Sequence, residues 1–251
     1  MEGPGVQLIK EKLSFLKGSF VFGASGNSKI DKEKILGKEL LSVDSVGKQL
    51  FLIFEGVALR VHFGMYGSFR INNPKPDKVP RLLLRFNKDG KKPVDLYFYN
   101  TSLRLVDPRE LNLDNSVDVL SGNFDREKAL EKIKSDERVI SDVLLDQEIF
   151  AGIGNIIKNE ALFLAKVHPE SISSKIPDDV ARDLIDKSVY FSQVFLEHRK
   201  KGWPLKKVLL VYNRKFCPLC DSRLKVKYIG RSHRKTFFCE KCQRLYVGKA
   251  S

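Results

Sequence analysis

Cysteine is scarce and confined, with four in 251 residues and all of them beyond position 216. A fold stapled throughout by disulfides is thereby excluded. Also missing is any uninterrupted apolar stretch near the roughly 20 residues of a membrane-spanning helix, so no transmembrane segment is expected. The opening MEGPGVQLIKEK lacks a basic start followed by an apolar run and does not read as a secretory signal. The expected location is intracellular: the nucleus in a eukaryote, otherwise the cytoplasm or a viral replication site. Neither internal repeats nor low-complexity tracts occur. Acidic residues are in short supply, 31 against 45 Lys and Arg, which leaves a formal charge of +14. That imbalance suits a polyanionic partner, nucleic acid above all, because each neutralised phosphate releases condensed counterions. Charge by itself names no chemistry.

What is present is enough apolar material, 42% of the chain, for two or three modest domains. Val6, Ile9, Leu13 and Leu16 recur at helical spacing, with Pro4 suited to a first turn and Gly18 to a cap, so one helix leads the chain. QLFLIF, VALRVHF, RLLLRF and VDLYFY then read as strands of an antiparallel sandwich or barrel, up to about Asp107. The stretch from Pro108 to about Asn123 mixes Pro, Asn, Asp and Ser without apolar periodicity and is the best linker. Beyond it Asp125 can cap a helix carrying Ala129, Leu130 and Ile133, and a long helix after Pro177 carries Val180, Leu184, Phe191, Val194 and Phe195. From Trp203 the chain turns to short basic strands around the cysteines. The expected domains are 1–112, 113–202 and 203–251.

Those cysteines fall as Cys217-Pro-Leu-Cys220 and Cys239-Glu-Lys-Cys242. Two such knuckles can set four thiolates tetrahedrally around one zinc ion; two disulfides or four free thiols are the alternatives. A site closed by four thiolates has no open coordination position, so the metal would hold shape and perform no hydrolysis. Arg231, Arg234 and Lys235, beside Phe237 and Phe238, would sit on a hairpin ready to meet phosphate or would simply form a solvated face.

Five segments occur in one order: Glu2-Gly3-Pro4 at the start, Gly47-Lys48, HFGMYGSFRI at 62–71, LLDQEIFAGIGNIIKNEALF at 144–163, and RKTFFCEKCQ at 234–243. Together they resemble the formamidopyrimidine-DNA glycosylase/endonuclease VIII family along the whole chain. IGNIIKNEALF, with Gly5 after the opening motif, is most similar to the vertebrate Nei-like branch that prefers single-stranded DNA. The resemblance implies a multidomain α+β protein: an N-terminal eight-stranded β-sandwich, a helix-two-turn-helix domain and a C-terminal zinc finger with one structural zinc per chain. It also implies a monomer that acts on damaged DNA, single-stranded or unpaired, and has no membrane partner.

Residue roles follow from the same resemblance. Family members attack the anomeric carbon of a damaged nucleotide with the α-amine of their first residue, usually Pro, and the adjoining Glu works as an acid. Here those positions are Met1 and Glu2. Any first residue supplies such an amine; its reference pKa of 7.7 to 8.0 leaves a useful fraction unprotonated at neutral pH, and a primary amine forms a Schiff base. Lys48 matches a lysine that contacts phosphate and assists strand cleavage, and Asn155 an Asn that binds phosphate at the two-turn element. Arg234 matches the finger arginine that holds the phosphates beside the lesion and is associated with the second elimination. Met65 matches a residue that fills the space left by the flipped base.

One departure concerns the remaining void-filling positions. Double-strand enzymes of the family carry Arg-Arg-Phe after Asp-Pro. In YNTSLRLV at 99–106, Ser102 and Leu103 take the place of the arginines, so weak stabilisation of an opposite strand is expected. The short segment from Trp203 to Cys217 leaves little room for a lesion-capping loop, which favours oxidised pyrimidines and hydantoins over 8-oxoguanine. A non-catalytic nucleic-acid-binding protein would account for charge and zinc but gives no role to Met1-Glu2 with Lys48.

Overall fold

The computed structural model describes residues 1–87, 92–111 and 113–248. They divide into two compact units, Met1 with Gly5–Leu113, and Glu2–Pro4 with the chain from Asp114 onward.

The first unit begins with helix α1 (Gly3–Leu13), whose Val6, Ile9 and Leu13 recur at the spacing of one helical face and are buried. A 3-10 turn carries Leu16 into the same core, and Gly18 then takes φ +79°, which ends the helical run. Eight strands follow: β1 (Phe20–Ser25), β2 (Leu40–Val46), β3 (Gln49–Phe54), β4 (Val57–His62), β5 (Ser68–Ile71), β6 (Leu82–Asn87), β7 (Val94–Tyr99) and β8 (Ser102–Val106). They form two antiparallel four-stranded sheets, ordered β1-β6-β7-β5 and β2-β3-β4-β8. Because side chains alternate across a strand, Leu50, Leu52, Leu59 and Val61 of one sheet meet Val21, Leu84 and Leu96 of the other in a shared core. The same alternation turns Gln49, Arg60, His62, Ser102 and Arg104 outward.

The second unit is helical and ends in a hairpin. Its helices are α2 (Arg126–Ser135), α3 (Ile140–Val143), α4 (Asn155–Leu164) and α5 (Asp178–Lys200), followed by β9 (Lys225–Ile229) and β10 (Arg234–Phe238). Asp125 caps α2, accepting the Lys128 N–H at 2.9 Å. The apolar faces of α2, α4 and α5 share a core that includes Ile133, Ile157, Ala161, Leu184 and Phe191. A smaller cluster of Phe163, Val211, Leu224 and Phe237, with Cys217 and Cys239, continues it beneath the hairpin. Among the described residues no helix is long and apolar enough to cross a membrane.

Candidate functional site

In the sandwich unit the chain terminus is anchored. The Met1 ammonium donates to the Gly64 carbonyl, and the Met1 side chain lies against Gly5, where an added Cβ would overlap it. Gly64, at φ +54°, opens the turn that carries Met65 and Tyr66, whose side chains are 69% and 78% exposed. Lys48 occupies the two-residue turn between β2 and β3 with Gly47 at φ +55°, the conformation a tight hairpin demands. Nearby His62 has its pKa lowered, first by burial and then by the positive charges of the N-terminus, Lys48 and Arg60. A polar depression of about 230 Å³ is lined by Gln49, Arg60, His62, Ser102 and Arg104. Arg60 and Arg104 oppose one another directly across β4 and β8. Like charges so placed destabilise a sheet, and a polyanion would relieve them.

In the second unit Glu2 sits at the first turn of α4. Its carboxylate accepts the N–H of Ile156 at 2.7 Å and of Ile157 at 3.3 Å, two donors that a helix start leaves without intrahelical partners. Gly152 and Gly154 make the approach possible. The Gly3 N–H donates to the Gly152 carbonyl at 2.9 Å, and a Cβ on Gly154 would fall on the Glu2 carboxyl, well inside 3.0 Å.

The polar face of α4 is spent on β10. Asn155 donates to the Lys235 carbonyl at 2.9 Å and Lys158 to the Thr236 hydroxyl at 2.8 Å, while Asn159 accepts the Phe237 N–H at 2.6 Å. Arg234, exposed at the start of β10, is thereby held on a strand fixed to the helix that carries Asn155. Glu160 accepts three backbone N–H groups from residues 210–212, and burial still raises its pKa. Buried Asp142 accepts the N–H of Arg231 at 2.7 Å and of Ser232 at 3.1 Å, fixing the hairpin turn. Lys158, Glu160 and Asp142 were not anticipated as parts of the site. Their only signal is a charged residue inside an otherwise apolar run, as in IIKNEALF.

The four cysteine sulfurs lie within 4.8 Å of one another, with Cys217–Cys242 at 3.8 Å and Cys220–Cys239 at 3.5 Å. Four sulfurs at about 2.3 Å from a tetrahedral zinc would be about 3.8 Å apart, so the donor set fits that ion in both chemistry and spacing. Burial and then the neighbouring thiols push Cys242 up to about 12, a crowding that a bound cation would reverse.

Ser102 and Leu103 follow directly on the turn after β7. Both belong to β8, paired with His62 and Val61, and Leu103 packs against the sandwich core. Beyond β8, Asp107 caps a short 3-10 turn at Pro108–Glu110. Arg109 folds back on Asp107, with Nη2 to Oδ2 at 2.6 Å, and that pairing pulls Asp107 down to about 2.

Two known domains match most of the chain, leaving Met1, Glu2 and the cysteine-bearing hairpin outside the matched residues. The formamidopyrimidine-DNA glycosylase N-terminal domain matches residues 7–112, and the formamidopyrimidine-DNA glycosylase H2TH domain matches residues 116–210. The chain belongs to the formamidopyrimidine-DNA glycosylase/endonuclease VIII family of DNA-repair proteins. Within it, the chain is 32% identical over 247 residues to endonuclease 8-like 3 of Xenopus laevis, covering 93% of this chain and 39% of that protein. It is 35% identical over 211 residues to the Homo sapiens counterpart, covering 80% and 34%. Endonuclease 8-like 2 of Mus musculus is 34% identical over 198 residues, covering 74% and 57%. The chain thus spans about two fifths or less of the endonuclease 8-like 3 proteins. In fold it is similar to Lactococcus lactis formamidopyrimidine-DNA glycosylase bound to abasic-site DNA, with TM-score 0.84 and 22% identity over 97% of this chain and all of that one. A viral DNA glycosylase superposes equally well, with TM-score 0.84 at 24% identity over 97% of this chain and all of that one.

Proposed function

We propose that this chain is a bifunctional DNA glycosylase and abasic-site lyase of base excision repair, acting on oxidised pyrimidines and hydantoins in single-stranded or unpaired DNA. The observation that carries the reading is the anchored terminus: an α-amine bonded to Gly64 beside the Met65 tip, close enough to Lys48 and Arg60 for all three charges to bear on His62. A frayed end would show none of this.

In the proposed reaction the Met1 nitrogen attacks C1′ of the damaged nucleotide, and the glycosidic bond breaks with its electron pair leaving on the base. Glu2, fixed on the α4 N-terminus, serves as the acid. The sugar ring then opens, C1′–O4′ breaking as O4′ gains a proton and the Met1 nitrogen gives one up, and the Schiff base so formed acidifies the C2′ proton, whose removal expels the 3′ phosphate; a second elimination releases the 5′ phosphate. Lys48, Asn155 and Arg234 bind the phosphates of the damaged strand, and Met65 fills the vacated space. Cys217, Cys220, Cys239 and Cys242 hold one zinc that keeps the finger folded. The working divisions are 1–112 for the catalytic sandwich, 113–202 for the helix-two-turn-helix region and 203–251 for the finger, in a monomer.

Borohydride reduction on abasic DNA tests the reading. We expect a covalent adduct mapping to the Met1 amine and abolished by residues placed ahead of Met1. Undiminished trapping in the extended protein would reject this amine and turn attention to Lys48.

A further inference from the structure

The tip of the β9–β10 hairpin carries an aromatic pair that the reaction does not use. Tyr228, 57% exposed, stacks on His233 with ring centroids 5.0 Å apart and planes inclined by 17°. The pair is built on a fixed turn. Asp142 holds the Arg231 and Ser232 N–H groups, and Gly230, at φ +72°, has no room for a Cβ against that carboxylate. His233 itself sits at φ +46°, a left-handed conformation that side chains rarely adopt, and this aims its ring at Tyr228.

The charges around the pair are sorted. Cross-strand pairing puts Lys235 opposite Tyr228 on one face of the hairpin, while Lys225 and Lys227 point to the other. Lys225 and Lys227 are neutralised by Glu240 and Glu170. Arg231 in the turn and Lys235 are exposed and make no ion pair among the described residues, while Arg234, opposite Ile229, lies on the face of Lys225 and Lys227. An open aromatic face flanked by uncompensated cations is a platform for a nucleobase with its phosphates.

We infer that Tyr228, backed by His233 and flanked by Lys235, stacks on one unpaired base of the bound single strand. The inference rests on the proposed DNA-repair reading and deepens it. A paired base within a duplex already has both faces covered by its neighbours, so this contact is available only to an unpaired strand.

The test is a cycle between protein and DNA, using single-stranded oligonucleotides in which one flanking base at a time is replaced by an abasic analogue. Tyr228→Ala weakens single-strand binding by about 5- to 150-fold, the loss expected for one base stacked on an aromatic ring. Tyr228→Phe retains it, and duplex binding is unchanged in both. At one position, base removal costs the wild-type protein a similar factor and costs Tyr228→Ala nothing. A protein in which the only tryptophan is moved, Trp203→Phe with Tyr228→Trp, shows fluorescence quenching by the single strand. Zinc content of each variant confirms a folded finger. Unchanged single-strand binding by Tyr228→Ala, equal losses in Tyr228→Phe, or no position of coupling would overturn the inference alone, provided that the wild type still binds and is trapped by borohydride. A wild type that binds no single strand would overturn both.

Discussion

Lys158 has no exposed surface, and its ammonium is bonded to the Thr236 hydroxyl. Burial lowers its pKa from 10.5 to about 8; the carboxylates of Asp142 and Glu2 oppose the shift, and Arg234 adds to it. Between those two values the unfolded chain holds a proton that the folded chain has released, so this residue makes stability rise with pH across the window. Integrated over it, the linkage is on the order of 3 kcal/mol. We predict that the stability difference between the wild type and Lys158→Met shifts in favour of the wild type from pH 8 to 10.5, measured by urea unfolding at each pH. A difference flat in pH would show that the Lys158 proton is not linked to folding. At Glu2 the expected effect is on chemistry. Glu2→Gln keeps the shape and the α4 contacts while removing an acid, so single-turnover excision of an intact damaged base should fall about 10²- to 10⁴-fold with DNA affinity changed little. Excision within a few-fold of the wild type would leave Glu2 a helix cap and nothing more.

At the level of elements, α4 explains both what the sequence made legible and what it hid. The runs QLFLIF, VALRVHF, RLLLRF and VDLYFY alternate or bury cleanly and become β3, β4, β6 and β7. β1 was harder to read because its ladder shifts register between Val21 and Gly23, and β5 because it is four residues long and only partly buried. α4 buries Lys158, Asn159 and Glu160 among its apolar residues, so its periodicity blurs. Their partners lie about 50 to 78 positions away on β10 and in residues 210–212, a distance no local pattern encodes. The clustering of the cysteine knuckles was legible from spacing alone, whereas the roles proposed for Met1 and Glu2 rest on resemblance. From the α4 geometry, Gly154→Ala should push the Glu2 carboxyl off the helix start, since Gly154 has an ordinary φ of −116° and the overlap is with that side chain. We expect base excision to fall by at least tenfold, with cleavage at a preformed abasic site and the thermal midpoint little changed; equal loss of both activities would point to general disorder of the turn. For the finger, metal and fold are one equilibrium. Chelation or Cys242→Ser should release one zinc per chain, measured by metal analysis, and abolish DNA binding through the loss of Arg234 and its neighbours. Folded, active protein without metal would refute the zinc assignment.

The charge of the whole molecule, +14, supports binding to any nucleic acid and selects none. Selection between single and double strands has to come from how the lost base pair is compensated. Extruding a base from a duplex costs a few kcal/mol, which enzymes offset by inserting side chains into the gap and contacting the orphaned base. Here Met65 is exposed and available for the gap, but Ser102 and Leu103 stand where the resemblance places arginines, and Leu103 packs against the sandwich core. Neither side chain supplies the charged contact that an arginine would make with an opposite strand. In a single strand there is no partner to replace, and Lys48, Asn155 and Arg234 would still grip the damaged strand. We therefore predict faster single-turnover excision of a hydantoin from single-stranded or bubble DNA than from a paired duplex, at matched salt because affinity falls steeply with ionic strength. Ser102→Arg should narrow the gap by raising the duplex rate, leaving the single-strand rate within about threefold, less than 1 kcal/mol. Equal excision from both contexts by the wild type would mean that another segment supplies the opposite-strand contact, and a Ser102→Arg variant that slows both would place Ser102 in the catalytic machinery itself.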